Sequence, residues 1–241
     1  MASSKVTVTI IGFGAFGQLV ARLLAPYARV SVHDRSAVAM EAASALGFDL
    51  VARIEDIRAD VVILAVPLRA FDEVLRAIAP HLRPGQLVVD VCSVKEEPAR
   101  LMSDLLPPHA EILACHPMFG PQSAKRGVEN SQIVLCPLRG ARWRGIARFL
   151  ERVLKLEVIV TTPEDHDRQV AMTQGLTHLL AQVVASLGDR PAIRTRSFDL
   201  IAEGLALVAN DAPEVFEAIA RGNRHFAPMG ERLVSAIRAR I

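Results

Sequence analysis

The sequence predicts an α/β protein: an N-terminal parallel-sheet domain, residues 1–162, followed by a small all-helical domain, residues 163–241. Three observations predict it. A β-branched run leads directly into a glycine-rich turn and then an apolar helical pattern. Short apolar runs of strand length alternate with helical patterns up to about residue 160. Beyond Thr162 no strand-like run follows.

In chain order, Val6 to Ile11 reads as a strand, and Leu19, Val20, Leu23 and Leu24 mark the helix after it. Arg29 to His33 is a second strand that ends at Asp34. Ala39 to Leu46 is helical, with Gly47 as its stop. Val61 to Val66 is an apolar strand, Ala70 to Ala79 a helix and Leu87 to Val91 a strand. Strands at Ile112 to Cys115, Ile133 to Leu135 and Val158 to Val160 follow, with a helix from about Arg142 to Val153 between the last two. Such alternation implies a parallel sheet with right-handed crossovers. Thr162 suits an N-cap, Pro163 a first helical position, and Glu164 and Asp165 the positive helix end. The next stop is Gly188, so this helix runs to about 39 Å at the standard rise. Shorter helices broken near Asp211-Ala212-Pro213 and Ala227-Pro228 complete the chain.

Of the 241 residues 51% are hydrophobic and only 5% aromatic, which suits a buried sheet built from Val, Ile, Leu and Ala. The formal charge of +2 comes from 28 basic and 26 acidic residues without a basic run, so no case arises for nucleic acid or membrane binding. The three cysteines, Cys92, Cys115 and Cys136, read as reduced and buried, without metal-ligand spacing. With no leader or membrane-spanning run in view, a cytoplasmic protein is expected.

Gly12-Phe13-Gly14-Ala15-Phe16-Gly17 is a dinucleotide-binding fingerprint of the Rossmann type, set between strand and helix as it must be. Gly12 allows the turn, Gly14 the approach of a pyrophosphate, and Gly17 the packing of helix on strand. Asp34 would accept from the ribose hydroxyls and favour NAD, whereas Arg35 could hold the 2′-phosphate of NADP. Val66 and Pro67 either lie against the cofactor or simply end the strand. Ser93 would stand near the nicotinamide, and Lys95 reads as a solvated helix start. His116, in His116-Pro117-Met118-Phe119-Gly120-Pro121, is the candidate base, because imidazole titrates near neutrality. On the long helix Leu176, Leu179, Leu180, Val183, Val184 and Leu187 form an apolar stripe. His178 lies off it with Gln174, Gly175 and Gln182, on a face suited to an anionic substrate group. His166 reads as structural or inter-domain.

Together these motifs, with Ser93-Val94-Lys95, Glu164-Asp165-His166-Asp167 and Thr177-His178, resemble the prephenate/arogenate dehydrogenase family, in its plant-type form, over nearly the whole chain. The resemblance implies NAD(P)-dependent oxidative decarboxylation of a cyclohexadienol in tyrosine biosynthesis. His116 would bind the ring hydroxyl and take its proton, Ser93 would bond the same centre and orient His116, and His178 would meet a substrate carboxylate. It also implies a carboxylate-binding arginine, for which Arg194 and Arg196 are the candidates, ahead of Arg221 and Arg224. Gln122 and Ser123 are candidates for the side-chain end of the pocket. A homodimer through the helical domain is implied, with no regulatory C-terminal module and no metal. A β-hydroxyacid dehydrogenase would carry a lysine on the long helix, and Pro163 to Gly188 has none. An enzyme of amino-substituted prephenate, or a cofactor-binding sensor without chemistry, remains as an alternative.

Overall fold

A computed structural model describes residues 5–188, 191–209, 211 and 213–241. Met1 to Ser4, part of the expected strand lead-in, and Ala212, within the expected helix break, lie outside the described residues.

One sheet of eight strands forms the first domain, in the order β3-β2-β1-β4-β5-β6-β7-β8. The strands are β1 (Thr7–Ile11), β2 (Arg29–His33), β3 (Asp49–Leu50), β4 (Val61–Leu64), β5 (Leu87–Asp90), β6 (Glu111–Pro117), β7 (Gln132–Arg139) and β8 (Glu157–Val160). Alternate residues of each central strand bury on opposite faces. Ile10, Ile63, Val89 and Leu113 share one core with α1 (Ala15–Leu24), α2 (Ala37–Ala45) and α5 (Trp143–Arg152). Ile11, Leu64, Val88 and Ile112 share the other with α3 (Phe71–Ile78) and α4 (Glu96–Leu105). Burial on both faces explains why these strands read as continuous apolar runs rather than alternating ones.

The sheet is not wholly parallel, as the sequence had suggested. β1 to β6 pair in parallel, but β6 and β7 are antiparallel, with His116 opposite Val134. The segment 118–131 carries no helix to make a crossover, so the chain turns back beside β6. α5 then returns it, and β8 pairs in parallel with β7. Sequence reasoning also missed β3, and of α4 it gave only the start at Lys95. This helix is short and has Pro98 in its first turn, which a helix tolerates because those amides have no intrahelical partner.

Thr162 caps α6 (Pro163–Val170) by accepting from the Asp165 amide at 3.2 Å. A π turn, Ala171–Gly175, joins it without a break to α7 (Leu176–Ser186). α8 (Arg196–Ala209), α9 (Pro213–Gly222) and α10 (Phe226–Arg238) follow. The break expected at Ala227-Pro228 falls instead at Asn223–His225, and Pro228 is accommodated in the first turn of α10. Gly175 lies under Phe226 and Ile219, which locks the long helix to α9 and α10. Much of the apolar surface of this domain is uncovered: Val183, Val184, Leu187, Leu200 and Ile201 are all exposed. Among the described residues no helix is long and apolar enough to cross a membrane.

Candidate active site

The chain order of the strands reverses on either side of β1, and the crevice above such a point is where open α/β sheets bind ligands. The glycine loop fills it. Gly12 has φ of 96°, and a side chain there would strike the Ala65 carbonyl. A Cβ on Gly17 would strike the Gly12 carbonyl, so that position holds α1 close to the strand end. At Gly14 a Cβ would meet nothing within 4 Å. That open space, in front of the first amides of α1 at Ala15 and Phe16, fits a pyrophosphate. Val66 packs on the loop, while Pro67 is exposed and opens a short 3-10 turn.

Asp34 both closes the loop and faces outward. Its carboxylate accepts from the Phe13 amide at 2.7 Å and the Ser36 amide at 2.8 Å, yet the residue stays half-exposed. Arg35 is exposed and makes no ion pair among the described residues.

Further along the same edge, β5 ends in a buried charge cluster. Lys95, expected to be a solvated helix start, is 0% exposed, and its ammonium pairs with Asp90 and donates to the Cys115 carbonyl at 2.7 Å. Asp90 also accepts from the Cys92 and Cys115 amides. The reason is geometric. Pairing of β5 with β6 stops at Asp90 and Ala114, and the two side chains take over the next amide and carbonyl of β6. Burial pushes the Asp90 carboxyl up and works against the Lys95 ammonium, but attraction to Asp90 prevails and holds Lys95 charged. Cys92 is half-buried, less than expected, while Cys115 and Cys136 are buried; all three are free thiols.

The residue after this anchored Cys115 is His116, 3% exposed. Its Nδ1 lies 2.9 Å from Nε2 of His166, in edge-on contact with that ring. His166, expected to be structural or inter-domain, is the residue that brings α6 to the candidate base. Its own Nδ1 lies 2.7 Å from the Asp167 carboxylate. Asp167 also accepts from the Lys95 and Glu96 amides at 2.7 and 2.9 Å, capping α4 from another element. Burial, then the neighbouring His166 and Lys95, hold His116 well below the ordinary histidine range. Ser93 is half-buried in the turn after β5, and its hydroxyl makes no hydrogen bond among the described residues. The contact to His116 expected of Ser93 is made by His166.

His178 is buried on α7, stacked on Phe216 at 6.1 Å, with Nε2 3.5 Å from Asp211. That nitrogen and Oε1 of Gln174, one turn away, are buried without a hydrogen-bond partner among the described residues. Burial lowers the His178 pKa against the pull of Asp211. Asp211 in turn lies beside Gly120, so the loop after His116 and the His178 face meet there. Gln122 is exposed, and Ser123 closes the loop onto Gly120.

Each of the candidate arginines has acidic partners. Arg194 pairs with Asp199 and Arg196 with Glu203, acids of their own segment. Arg221 pairs with Glu217. Arg224 spans Glu96 at 3.1 Å and Glu164 at 2.9 Å, joining the first turns of α4 and α6. Among the described residues no group of acids, histidines and cysteines could hold a metal ion.

Comparison with known proteins agrees with this architecture. Residues 20–157 match the model of the prephenate dehydrogenase nucleotide-binding domain. The chain is 30% identical to chloroplastic arogenate dehydrogenase 2 of Arabidopsis thaliana, over 96% of this chain and 68% of that protein. It is 29% identical to cyclohexadienyl dehydrogenase of Zymomonas mobilis, over 72% of this chain and 64% of that one. The fold superposes on that of prephenate dehydrogenase from A. aeolicus, solved with hydroxyphenyl propionate and NAD+, with a TM-score of 0.79 at 19% identity, covering 99% of this chain and 90% of that one. The glycine loop, the buried histidine and the helical second domain therefore stand in a chain that belongs to the prephenate dehydrogenase family.

Proposed function

We propose that this chain oxidatively decarboxylates prephenate or arogenate, with NAD as the acceptor, in tyrosine biosynthesis. The observation that carries the reading is His116: a buried imidazole kept neutral at physiological pH, on the sheet edge that also bears the glycine loop. NAD, held by Gly12, Gly14, Ala15, Phe16, Gly17 and Asp34, supplies the hydride acceptor. His116 takes the proton of the C4 hydroxyl as the carbonyl forms. The ring carboxylate leaves as carbon dioxide, its bonding pair restores the aromatic ring, and His116 returns the proton to the phenol oxygen. Ser93 stands at the same centre as a second hydroxyl-binding group. His178, whose buried Nε2 has no hydrogen-bond partner among the described residues, faces the anionic end of the substrate. The division at residues 162 and 163 assigns the cofactor to the first domain and much of the substrate pocket to the second. The uncovered apolar faces of α7 and α8 support a homodimer through the helical domain. The free Arg35 beside Asp34 supports use of NADP as well.

Initial rates at 340 nm for prephenate and arogenate, each with NAD and NADP, test the reading. Turnover with one of the four pairs is expected. Tight NAD binding with no turnover in any pair refutes it.

A further inference from the structure

The Glu164-Asp165-His166-Asp167 segment marks the start of α6 in the sequence, and the reaction as derived gives it no task. In the structure it supplies both residues that stand behind His116. Asp167 to His166 to His116 is a continuous line of polar contacts at 2.7 and 2.9 Å, closed at the carboxylate end and unbonded at Nε2 of His116. All three side chains are buried, at 0%, 2% and 3% exposure.

We propose that His166, seated on Asp167, is a positioning residue that fixes the tautomer of His116, keeping its proton on Nδ1 and its lone pair on Nε2. The argument is one of donors and acceptors, and it rests on the reading of His116 as the base. Asp167 faces three donors: the Lys95 and Glu96 amides and the His166 ring. Amides only donate, so Asp167 is used as an acceptor, and the proton between it and His166 belongs to Nδ1 of His166. A neutral imidazole with its proton on Nδ1 is an acceptor at Nε2. The facing nitrogen of His116 must then be the donor. Nε2 of His116 is left as the basic nitrogen, and it makes no hydrogen bond among the described residues.

The same line serves the charged state. When Nε2 takes a proton the ring becomes an imidazolium, and its Nδ1–H bond to His166 becomes charge-assisted. The logic is that of a carboxylate–imidazole pair that sets a base's tautomer, extended here by a second imidazole. The supports are rigid. Asp167 is tied to the N-terminus of α4, and its carbonyl accepts from Asn223 at 2.7 Å in the turn before α10. The charged groups around the two rings are Lys95 from the start of α4, Asp90 from β5 and Asp167 from α6. Burial, first among the causes, lowers His166 and His116 alike, so both rings are neutral in the resting enzyme.

The test reads the tautomer directly. Long-range nitrogen–proton correlation spectra of uniformly ¹⁵N-labelled enzyme with NAD+ at pH 8 distinguish a ring proton on Nδ1 from one on Nε2. The His116 signals are assigned by their loss in His116→Asn. The wild type is expected to carry the proton on Nδ1. His166→Leu removes the acceptor, so the proton should move to Nε2 or divide between the nitrogens. Its kcat should fall by about 10²- to 10⁴-fold with KM little changed, the span for losing the group that sets a general base. His166→Gln offers an amide oxygen near the lost ring nitrogen and should recover kcat to within about tenfold, roughly the worth of one hydrogen bond. A wild-type proton on Nε2 overturns the proposal, and this outcome needs no variant to fold. So does a loss of kcat in His166→Leu with the tautomer unchanged, which marks a packing role only. Turnover retained in His116→Asn sinks the assignment of the base itself, a separate failure from either of these.

Discussion

Replacing Lys95 by methionine removes the cation from a pair in which both side chains are 0% exposed. Methionine fills the space of the stem, so little cavity forms, and the cost is electrostatic. Asp90 is left buried beside two amides with no counter-charge, and the Cys115 carbonyl loses its donor. Breaking a buried ion pair from one side costs about 3–5 kcal/mol. At about 2–4 °C per kcal/mol for a chain of this size, the melting midpoint should fall by about 6–20 °C. The loss also has a pH signature. Without Lys95, burial, the largest influence on Asp90, is opposed only by the Cys92 and Cys115 amides and raises its folded pKa further above the unfolded value near 4. A raised folded pKa stabilises fully below the unfolded value, and that contribution is lost as pH rises through the folded one. The deficit against wild type should therefore be greatest at pH 8 and shrink towards pH 5, by up to about 1.4 kcal/mol per pH unit. Urea unfolding of both proteins at the two pH values measures it. Adding Asp90→Asn to the variant should restore part of the loss at pH 8. A deficit under about 1 kcal/mol at pH 8, or one equal at both pH values, would mean that Asp90 is not held as an ion by Lys95.

Other consequences follow from the same geometry. His116→Asn should keep NAD affinity, measured by fluorescence titration, while kcat falls by about 10²- to 10⁴-fold. In the wild type the acid limb of kcat should fall below pH 6.5, because activity is lost only when pH drops through the depressed His116 pKa; a limb at or above 6.5 contradicts that environment. Gly12→Ala and Gly14→Ala should separate folding from binding. The first should cost about 1–3 kcal/mol through backbone strain and the clash with Ala65. The second should leave the melting point nearly unchanged and weaken NAD at least about tenfold, and equal effects in both would refute the distinction. Sedimentation should give twice the chain mass at micromolar concentration, and Val184→Glu with Leu200→Glu should give the monomer. A wild-type monomer would remove the dimer.

What was legible in the sequence was local chemistry. The β1–loop–α1 unit, Asp34 at the end of β2, and the Thr162-Pro163 start of α6 each declare themselves through residues a few positions apart. The direction of β7 was legible in part, since 118–131 lacks any helical pattern that could carry a crossover. The state of Lys95 was not, because it depends on where pairing between two strands stops. Its one trace was an acid, Asp90, inside an apolar strand. His166 falls in a polar first turn that names none of its partners, and the docking of α6 against the start of α4 supplies them. Arg224 was ranked low because nothing in its neighbourhood forecasts Glu96 and Glu164, more than fifty residues earlier.

The π turn between α6 and α7 has a rotational meaning. Twelve residues separate His166 from His178, and in an unbroken α-helix that spacing would point the two rings about 120° apart. An i→i+5 turn holds one residue more than an α turn; the Leu176 amide reaches back to Ala171 in this way. Absorbing that residue takes roughly 100° out of the helical phase and leaves the two histidines only about 20° apart. The helix is thus indexed by a single surplus residue, like a key cut one notch over. Deleting one residue from Ala171–Gly175 would straighten the helix and still leave the two histidines about 20° apart, whereas winding the same twelve residues as a plain α-helix would swing His178 away from the side that His166 faces.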